Sequence, residues 1–389
     1  MRRLAPLVLL AALTACAPRV YGPPPAPPPP SAPPTGIERL TLLPGSFDQL
    51  PGWGEDGAGA VLPALLRSCE RMAKLPWDRS IGADGMGGTV ADWHTPCATA
   101  RRISAGEHDI ARAFFEAWFV PYLATNDGRA EGTFTGYFEP ELEGSLARSP
   151  RYRVPLLAKP KDLVTRGDQV GRMVGGEFRP YPSRAEIEAG TLGSLAQAVA
   201  WVADPVDAHI MHIQGSGRVR LPDGRVLRLG VAGTNGHRFV GIGKLMRERG
   251  LLDDISMPAI RAWLKDNPTR AQALMAENPR YVFYKVVTGD GPLGSEGVAL
   301  TPERSLAVDN RYIPLGVPLF LDTVDPAGRP LRRLVMAQDT GGAIKGPVRG
   351  DFFWGAGEAA FEKAGRMKSP GRYWLLLPRQ RSPRVALAE

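Results

Sequence analysis

The chain has 389 residues, and its 48 basic and 40 acidic side chains give a net charge of +8 at pH 7. At roughly 150 residues per domain, this length allows about two domains. A hydrophobic content of 43% excludes a wholly disordered chain, and the basic residues form no run of the kind that binds nucleic acid.

The N-terminus has the pattern of a bacterial lipoprotein signal. Arg2 and Arg3 precede an apolar run of about ten residues, which is too short to span a membrane and has the proportions of a secretory signal. The LTAC that ends at Cys16 resembles a lipobox, whose cysteine is acylated and begins the mature protein. We predict a signal peptide over 1–16, lipidation of Cys16 and, because Ala17 is not aspartate, an outer-membrane protein facing the periplasm. The alternative is an ordinary signal peptide with an incidental cysteine.

Residues 17–36 contain ten of the 38 prolines of the chain. This composition predicts a stiff polyproline II linker, with a reach of roughly 60 Å at about 3.1 Å per residue. We expect the linker to hold the folded part of the protein away from the membrane. The alternative is a segment that binds a proline-recognition domain.

Cys69 and Cys97 are the only cysteines besides the one in the lipobox. Export to an oxidising compartment favours a disulfide between them. Closure of a loop of about 29 residues would then contribute roughly 3–4 kcal/mol of stability on the chain-entropy estimate. Two buried thiols are the alternative.

The folded part begins with helical patterns and continues mainly with strand patterns. Helical apolar spacing is found over 59–73, 105–125 and 237–276. Short apolar runs separated by Gly, Pro and Asp predict strands. These runs are 133–142, 151–160, 207–221, 224–233, 280–287, 313–322, 331–339 and 371–378. The LPDG at 221–224 predicts a hairpin turn. Scattered strands with few long helices favour barrels joined to a helical part over a doubly wound sheet.

Two candidate catalytic groupings are weak. His209, His212 and His237 could hold zinc, but the first two lie in a strand-like run, where positions three apart point to opposite faces. We therefore expect hydrogen-bonded structural histidines and no metal site. Ser216 lies in a Gly-Ser-Gly segment that lacks the Gly-x-Ser-x-Gly elbow of a serine nucleophile.

Three aspartates form the strongest candidate. Asp309 begins DNRYIPLGVPLF, Asp339 ends LVMAQD and Asp351 begins DFFWG. The segment between the last two, TGGAIKGPVRG, is rich in glycine, so its backbone can approach a ligand closely. Each aspartate alone could be a turn former, but three of them around these motifs point to carboxylate chemistry.

With these motifs the chain resembles the membrane-bound lytic murein transglycosylase A family, from about Gly132 to Leu377. The motifs occur in matching order. They are TGYFEPEL (135–142), HIQGSGRV (212–219), GTNGHRF (233–239), IGK (242–244), NPRYVFYK (278–285) and the segment 309–355, which resembles the three-aspartate domain. Residues 37–130 match only loosely.

The resemblance implies a mainly β fold with some helices, in which a double-psi β-barrel domain is interrupted by a second β-barrel-like domain. Carried over, the barrel domain and its helical N-terminal part combine residues 37–138 with 288–380. The inserted β-rich domain, which carries the substrate groove, spans 139–287. The implied activity is endo- or exo-cleavage, without water, of the β-1,4 bond between N-acetylmuramic acid and N-acetylglucosamine, which leaves 1,6-anhydromuramic ends.

Asp351 matches the catalytic aspartate of the family. One carboxyl can protonate the leaving oxygen and then, as the base, take the proton of the attacking O6 hydroxyl. Because a free aspartate has a pKa near 3.9, burial or the nearby Asp339 must raise the pKa of Asp351. We expect Asp339 to support the site, the backbone of Gly341 and Gly342 to line it, and Asp309 to fix a loop.

Further residues of the matching motifs are candidate glycan contacts. The candidates for stacking on sugar rings are Tyr137, Phe138 and Trp354, and the polar candidates are Gln214, Ser216, Arg218, Asn235 and Lys244. Peptidoglycan glycan strands are the implied substrate. The implied partners are the outer membrane, through the lipid on Cys16, and other cell-wall enzymes, and no cofactor is implied.

Two other functions stay open at this point. One is a non-catalytic murein-binding lipoprotein on a degenerate barrel. The other is a conventional hydrolase that uses Asp339 and Asp351 as a water-activating pair. The products separate the three functions, since a hydrolase leaves reducing ends and a binding protein leaves none.

Overall fold

The computed structural model describes residues 38–379. The predicted signal peptide over 1–16 with Cys16, and the predicted linker over 17–36, lie outside the described residues. Between residues 38 and 379, no helix is both long enough and apolar enough to cross a membrane.

The described chain is mainly β with some helices, as the sequence predicts. The strands are β1 (Leu40–Pro44), β2 (Phe119–Asn126), β3 (Gly132–Glu139), β4 (Glu141–Ser145), β5 (Val154–Leu157), β6 (Val164–Arg166), β7 (Gln169–Val174), β8 (Glu177–Pro180), β9 (Ala198–Val202), β10 (Gly217–Arg220), β11 (Val226–Thr234), β12 (Val282–Val287), β13 (Ser305–Val308), β14 (Pro318–Val324), β15 (Pro330–Asp339), β16 (Arg349–Ala356) and β17 (Lys368–Pro378). The α-helices are α1 (Leu62–Met72), α2 (Val90–Ala100), α3 (His108–Trp118), α4 (Arg184–Glu188), α5 (Pro205–Gln214), α6 (Ile242–Glu248), α7 (Met257–Asp266), α8 (Pro268–Ala276) and α9 (Glu358–Arg366).

Eight strands form the first sheet, in the order β1-β2-β17-β14-β15-β13-β16-β3, and β3 also pairs with β17. The six strands β3, β16, β13, β15, β14 and β17 therefore pair in a cycle. Helices α1, α2, α3 and α9 pack against strands of this sheet. Its central strands are nearly continuous apolar runs because both of their faces are covered, as the fully buried Leu319, Phe320 and Leu321 of β14 show.

The chain leaves the first sheet after β3 and returns to it at β13. The intervening strands form a six-stranded sheet, in the order β12-β11-β10-β4-β9-β5, and a three-stranded sheet of β6, β7 and β8. A separate apolar core that includes Leu142, Val219 and Tyr284 lies in this part of the chain. The predicted hairpin at 221–224 is confirmed, since β10 and β11 pair in antiparallel fashion across this turn.

The helical predictions hold at three places and need one correction at the end of α3. Helix α1 lies within 59–73, and α6 to α8 lie within 237–276. The predicted helix over 105–125 is wrong beyond Trp118, where the chain becomes β2. The cause is Pro121, which lacks an N–H for helical bonding and disfavours the helical conformation of the residue before it.

A second correction concerns 207–214, which is helical and not part of a strand. Asp204 is the N-cap residue of helix α5, and its carboxylate accepts hydrogen bonds from the backbone N–H groups of Val206 and Asp207. Pro205 occupies the first turn, and Gly215 ends the helix in the left-handed conformation at φ 83°. These are the usual signals for the start and end of a helix, and they outweigh the β-prone composition of the segment.

A disulfide joins Cys69 in α1 to Cys97 in α2, with 5.7 Å between the two Cα atoms. It ties together two helices that both pack against the first sheet. Both sulfur-bearing residues are buried, so the bridge is enclosed by the apolar core.

Candidate active site

Parallel pairing of β3 with β16 brings two distant segments of the chain together. Asp351 in β16 lies opposite Thr135 in β3, and Phe353 lies opposite Tyr137. Because side chains alternate along a strand, Arg349 shares a face with Asp351. A carboxyl, a hydroxyl and a guanidinium group are therefore neighbours, although Thr135 and Asp351 are 216 positions apart in the sequence.

Asp351 is the carboxyl with the properties of a general acid. It is half-buried, and the Thr135 hydroxyl donates to its Oδ1 at 2.6 Å. Burial raises the pKa of Asp351 to about 6, against the lowering effects of the Thr135 hydrogen bond and the Arg349 charge, with a further increase from the Asp339 carboxylate. The pKa lies close to neutral pH, and burial is the main reason.

Asp339, at the end of β15, is held by hydrogen bonds on both of its oxygens. Its Oδ1 accepts from the backbone N–H of Ser295 at 2.8 Å, from the Ser295 hydroxyl at 3.0 Å and from the N–H of Thr340 at 2.9 Å. Its Oδ2 accepts from the Tyr137 hydroxyl at 3.0 Å. Burial raises the pKa of Asp339, and these hydrogen bonds oppose the increase.

The two aspartates lie on opposite sides of one strand. Ala307 in β13 is opposite Asp351 on one side and Asp339 on the other. Their backbones are therefore two strand spacings apart, roughly 10 Å. The charge of Asp339 acts on Asp351, and the Tyr137 hydroxyl of β3 donates to the Asp339 carboxylate.

Asp309 holds the glycine-rich loop that follows β15. Its Oδ2 accepts from the backbone N–H of Gly346 at 2.9 Å and from the Arg311 guanidinium at 2.5 Å. Burial alone would raise the pKa of Asp309, but the hydrogen bonds from Arg311 and Gly346 outweigh it and lower the pKa to about 2. In the same loop Gly341 is half-buried and Gly342 is exposed.

Two of the three aromatic residues predicted to stack on sugars are buried in the core. Phe138 packs on Phe361, with 5.3 Å between ring centroids, and Trp354 packs on Phe352 at 4.8 Å. Trp354 also covers Gly136, where an added Cβ would lie 2.6 Å from its Nε1. The prediction of glycan stacking by Phe138 and Trp354 is therefore wrong, because both side chains point to the side of the sheet that α9 covers.

The predicted polar contacts divide into structural and accessible residues. The predicted glycan contact of Asn235 is wrong, because this side chain is buried and bonds only to backbone groups. Its amide N–H groups donate to the carbonyls of Pro182 and Pro279, and its Oδ1 accepts from the N–H of Tyr281. These bonds tie together three segments of the chain between β3 and β13, and they leave no free side-chain polar atom of Asn235 for a sugar. Lys244 is exposed on α6, and its Nζ lies 3.6 Å from Glu248.

The remaining polar candidates lie near the end of β3. Gln214 accepts a long hydrogen bond from the Phe138 N–H at 3.4 Å, and Ser216 is half-buried. Arg218 makes ion pairs with Glu139 at 3.4 Å and Glu141 at 2.9 Å. Gln214 and Ser216 keep the exposure that a glycan contact needs, whereas Arg218 is engaged in a network of charges.

Two of the three histidines, His212 and His237, are hydrogen-bonded as expected, and His209, within the described residues, is not. His209 and His212 lie three positions apart in α5 and therefore share a helix face. The Nδ1 of His212 accepts from the Val282 N–H at 3.1 Å, but neither ring nitrogen of the buried His209 has a partner within 38–379. His237 lies 2.7 Å from the carbonyl of Tyr181. Over the described residues, no three His, Cys, Asp or Glu side chains are grouped to hold a metal ion.

Three residues of the site are not among the predicted site residues, although Thr135 and Arg349 lie within the quoted motifs. The three are Thr135, Ser295 and Arg349, which contact Asp351, Asp339 and Thr135 respectively. The alternation of side chains along β3 does predict that Thr133, Thr135 and Tyr137 lie on one face of that strand. Only the pairing of β3 with β16, however, shows what that face meets.

Two family models match the chain. The one described as "MltA specific insert domain" matches residues 133–285, and the one described as "3D domain" matches residues 304–377. The two matches cover the inserted sheets and most of the returning strands of the first sheet.

Individual proteins are similar over longer stretches. The membrane-bound lytic murein transglycosylase A of Vibrio cholerae is 32% identical over 264 residues, which are 65% of this chain and 67% of that protein. The crystal structure of MltA from Neisseria gonorrhoeae, monoclinic form, is 34% identical with a TM-score of 0.77, and the match covers 90% of this chain and 97% of that one. The structure of Escherichia coli MltA with bound chitohexaose is 25% identical with a TM-score of 0.65, covering 89% and 96%.

Proposed function

This chain belongs to the MltA family of membrane-bound lytic murein transglycosylases, and from that premise we propose that it cleaves murein with Asp351 as acid and then base. The half-buried carboxyl of Asp351, with a pKa of about 6, is the observation that carries the proposal. At pH 7 roughly a tenth of the molecules then have a proton on this carboxyl, against roughly a thousandth for a free aspartate, and a general acid must hold such a proton.

The reaction needs one proton donor and one proton acceptor in succession. Asp351 gives its proton to the glycosidic oxygen as the bond from that oxygen to C1 of N-acetylmuramic acid breaks. The Asp351 carboxylate then takes the proton of the O6 hydroxyl, and O6 forms the new bond to C1. No water is consumed, the 1,6-anhydro ring closes, and Asp351 is protonated again for the next cycle.

The surroundings of Asp339 support a single catalytic carboxyl. A hydrolase with two carboxyls needs a second carboxylate with an oxygen free to activate water. Asp339 has three hydrogen bonds on Oδ1 and one on Oδ2. Its Oδ1 is therefore fully engaged and its Oδ2 is held by Tyr137, and its charge supports the raised pKa of Asp351.

Glycan contacts are proposed for the accessible residues around Asp351. Chitohexaose binds to the Escherichia coli relative, and a β-1,4-linked sugar chain is the corresponding ligand here. Tyr137, Gln214 and Ser216 lie at or beside the end of β3, and Gly341 and Gly342 follow the strand that ends in Asp339. Lys244 remains a candidate only through its motif and its exposure.

We further propose the domain division that the resemblance implies, with a double-psi β-barrel over 37–138 and 288–380 and an insert over 139–287. Supporting this, six of the eight strands of the first sheet pair in a cycle. The ends of β3 at Glu139 and β12 at Val287 mark where the chain changes sheets. A crystal structure in which β3 and β17 are unpaired would contradict the barrel.

Digestion of purified murein, followed by mass spectrometry of the products, tests the function. We expect 1,6-anhydromuramic ends from the wild type and a loss of their release by roughly 10³-fold or more in Asp351→Asn. Asp223→Asn is the matched control, because Asp223 lies in the exposed β10–β11 turn, and it should digest murein like the wild type. Reducing ends would indicate hydrolysis, and binding without cleavage would indicate the scaffold function. Either result would refute the proposal.

We propose that the chain is an outer-membrane lipoprotein that faces the periplasm. The relatives named above are membrane-bound by name, and the N-terminal sequence has a lipobox ending in Cys16. Replacement Cys16→Ser should move the protein from the outer-membrane fraction to another fraction on density-gradient separation of cell membranes. An unchanged distribution would favour the incidental cysteine.

A further inference from the structure

We propose that Arg349 is a positioning residue that acts through Thr135 to fix which oxygen of Asp351 carries the catalytic proton. The inference rests on the proposed function, since it assumes that Asp351 is the acid and base. The proposal gives a role to Arg349, which has no hydrogen bond to Asp309 or to Asp339. The proposal is based on two hydrogen bonds, one from Arg349 to Thr135 and one from Thr135 to Asp351.

The contacts of Arg349 fix its guanidinium group beside the site. Its Nη2 donates to the Thr135 Oγ1 at 2.8 Å, and its Nη1 donates to the Thr133 carbonyl at 3.2 Å and to the carbonyl of Gly350. The side chain is half-buried between β3 and β16. Its position follows from strand alternation, because it precedes Asp351 by two residues in β16.

The chemistry of the two groups sets the direction of the hydrogen bonds. A guanidinium group is always protonated and has only donors, so it cannot accept the hydroxyl proton of Thr135. The Thr135 hydroxyl has one proton and accepts from Arg349 with a lone pair. Its proton must therefore go to another acceptor, and the Oδ1 of Asp351 lies 2.6 Å away.

This direction decides the position of the acid proton. While Oδ1 accepts from Thr135, a proton on Oδ1 would compete with the hydroxyl proton for the same short contact. The other oxygen, Oδ2, accepts no hydrogen bond from residues 38–379 and is not among their fully buried, unpartnered polar atoms. The acid proton is therefore carried by Oδ2, and it leaves and returns there while Oδ1 stays fixed.

Two further groups face Asp351 and do not disturb this arrangement. Tyr137 and Asp339 are hydrogen-bonded to each other, so the Tyr137 proton is used on the Asp339 Oδ2. The Asp339 charge raises the pKa of Asp351, and the Arg349 charge lowers it. Removal of Arg349 therefore removes the cation that opposes the effect of the Asp339 charge on Asp351.

The test compares Arg349→Met with wild type in the rate of anhydro-end release from purified murein across pH. We expect about a tenfold lower turnover number, because Asp351 loses its fixed orientation. We also expect the alkaline limb of the pH profile to move up by roughly half a unit or more, because a cation that favoured the carboxylate is gone. Arg349→Lys keeps a charged donor and should restore most of the turnover number and most of the wild-type position of the alkaline limb. Arg372→Met, on β17 and away from the site, is the matched control and should match the wild type.

A double-mutant cycle tests whether Arg349 acts through Thr135. Thr135→Val removes the hydroxyl and should lower turnover by about tenfold or more, and Thr135→Ser should retain most activity. In the Thr135→Val background, Arg349→Met should cost much less than it does alone, because the shared contact has already been lost. Thermal unfolding of each variant checks that the protein is folded.

Three results would overturn the inference. They are an unmoved alkaline limb in a folded Arg349→Met protein, equal activity of Arg349→Lys and Arg349→Met, and fully additive effects in the cycle. None of these would refute the proposed function, which fails if the wild type leaves reducing ends, if it binds murein without cleavage, or if Asp351→Asn still releases anhydro ends. The two proposals can therefore be judged separately.

Discussion

The first sheet and the inserted segment both bury titratable side chains, but of opposite kinds. Near the active site, the first sheet buries carboxyls, and burial raises the pKa of Asp351 to about 6 and also raises that of Asp339. The insert buries His209 and His212, and burial lowers the pKa of His209 to about 3 and that of His212 well below its ordinary value. In both regions burial favours the neutral form.

The same change of pH therefore acts on the two regions in opposite directions. Acidification returns Asp351 to the neutral form that its surroundings favour, but it drives the two histidines towards the charged form that theirs disfavour. At neutral pH the histidines are already neutral, whereas much of Asp351 is ionised. The insert is thus best suited to neutral pH. At neutral pH the surroundings of Asp351 disfavour its charge, so its carboxylate takes up a proton readily during catalysis.

The largest effect on stability should come from Asp351→Asn. The pKa of Asp351 is higher in the folded than in the unfolded protein, so ionisation opposes folding, and this cost appears as pH rises from about 4 to about 6. An uncharged asparagine avoids the cost and can still accept the Thr135 hydrogen bond. We expect the free energy of unfolding to increase by up to about 3 kcal/mol at pH 7.5, with little change at pH 4. Urea unfolding at both pH values measures it.

Asp309→Asn is the matched control in the same sheet, with the opposite sign. The pKa of Asp309 is lowered to about 2, so its ionised form stabilises the fold and its removal should cost about 2 kcal/mol at pH 7.5. The loss should shrink as pH falls through the range between the two pKa values, from about 4 to about 2. If Asp351→Asn were destabilised at pH 7.5 as well, the site would not be a region where burial opposes charge.

Local signals in the sequence predict much of the fold and part of the site. The LPDG turn, the apolar runs of β14, β15 and β17, and the helix α1 all follow from spacing over a few residues. The three aspartates stand out because each begins or ends a distinctive motif. What these features share is that their cause lies within about ten positions of the chain.

The missed features depend on contacts between distant segments. Trp354 and Phe138 look like surface aromatics in a sugar-binding motif, but α9 covers their side of the sheet. Thr135 begins the TGYFEPEL motif, but its role appears only when β3 pairs with β16. The error at 207–214 has a different cause, because the local signals of Asp204, Pro205 and Gly215 predict the helix α5, whereas the composition of the segment is β-prone.

The smaller effect should come from His209→Phe in the insert. The folded pKa of His209 is lower than the unfolded value, mainly through burial and partly through Arg184, so its neutral form stabilises the fold. That stability is complete above about pH 6.5 and is lost as pH falls towards about 3. Phenylalanine has a similar size and no charge to acquire. Between pH 7 and pH 5, the wild type should therefore lose about 2 kcal/mol more stability than His209→Phe.

Native-state hydrogen exchange of β11 and β12 is the measurement that assigns this loss to the insert, because a chain with two sheets need not unfold in one step. At pH 5 the amides of these strands should open more readily than those of β14 and β17 in the wild type, after correction for intrinsic exchange rates, and the difference should narrow in His209→Phe. His94→Gln is the matched control, because His94 is exposed on α2, and it should leave the difference unchanged. Equal acid sensitivity of both regions in the wild type would contradict the expected difference between them, since burial of the histidines would then have no separate effect on the insert.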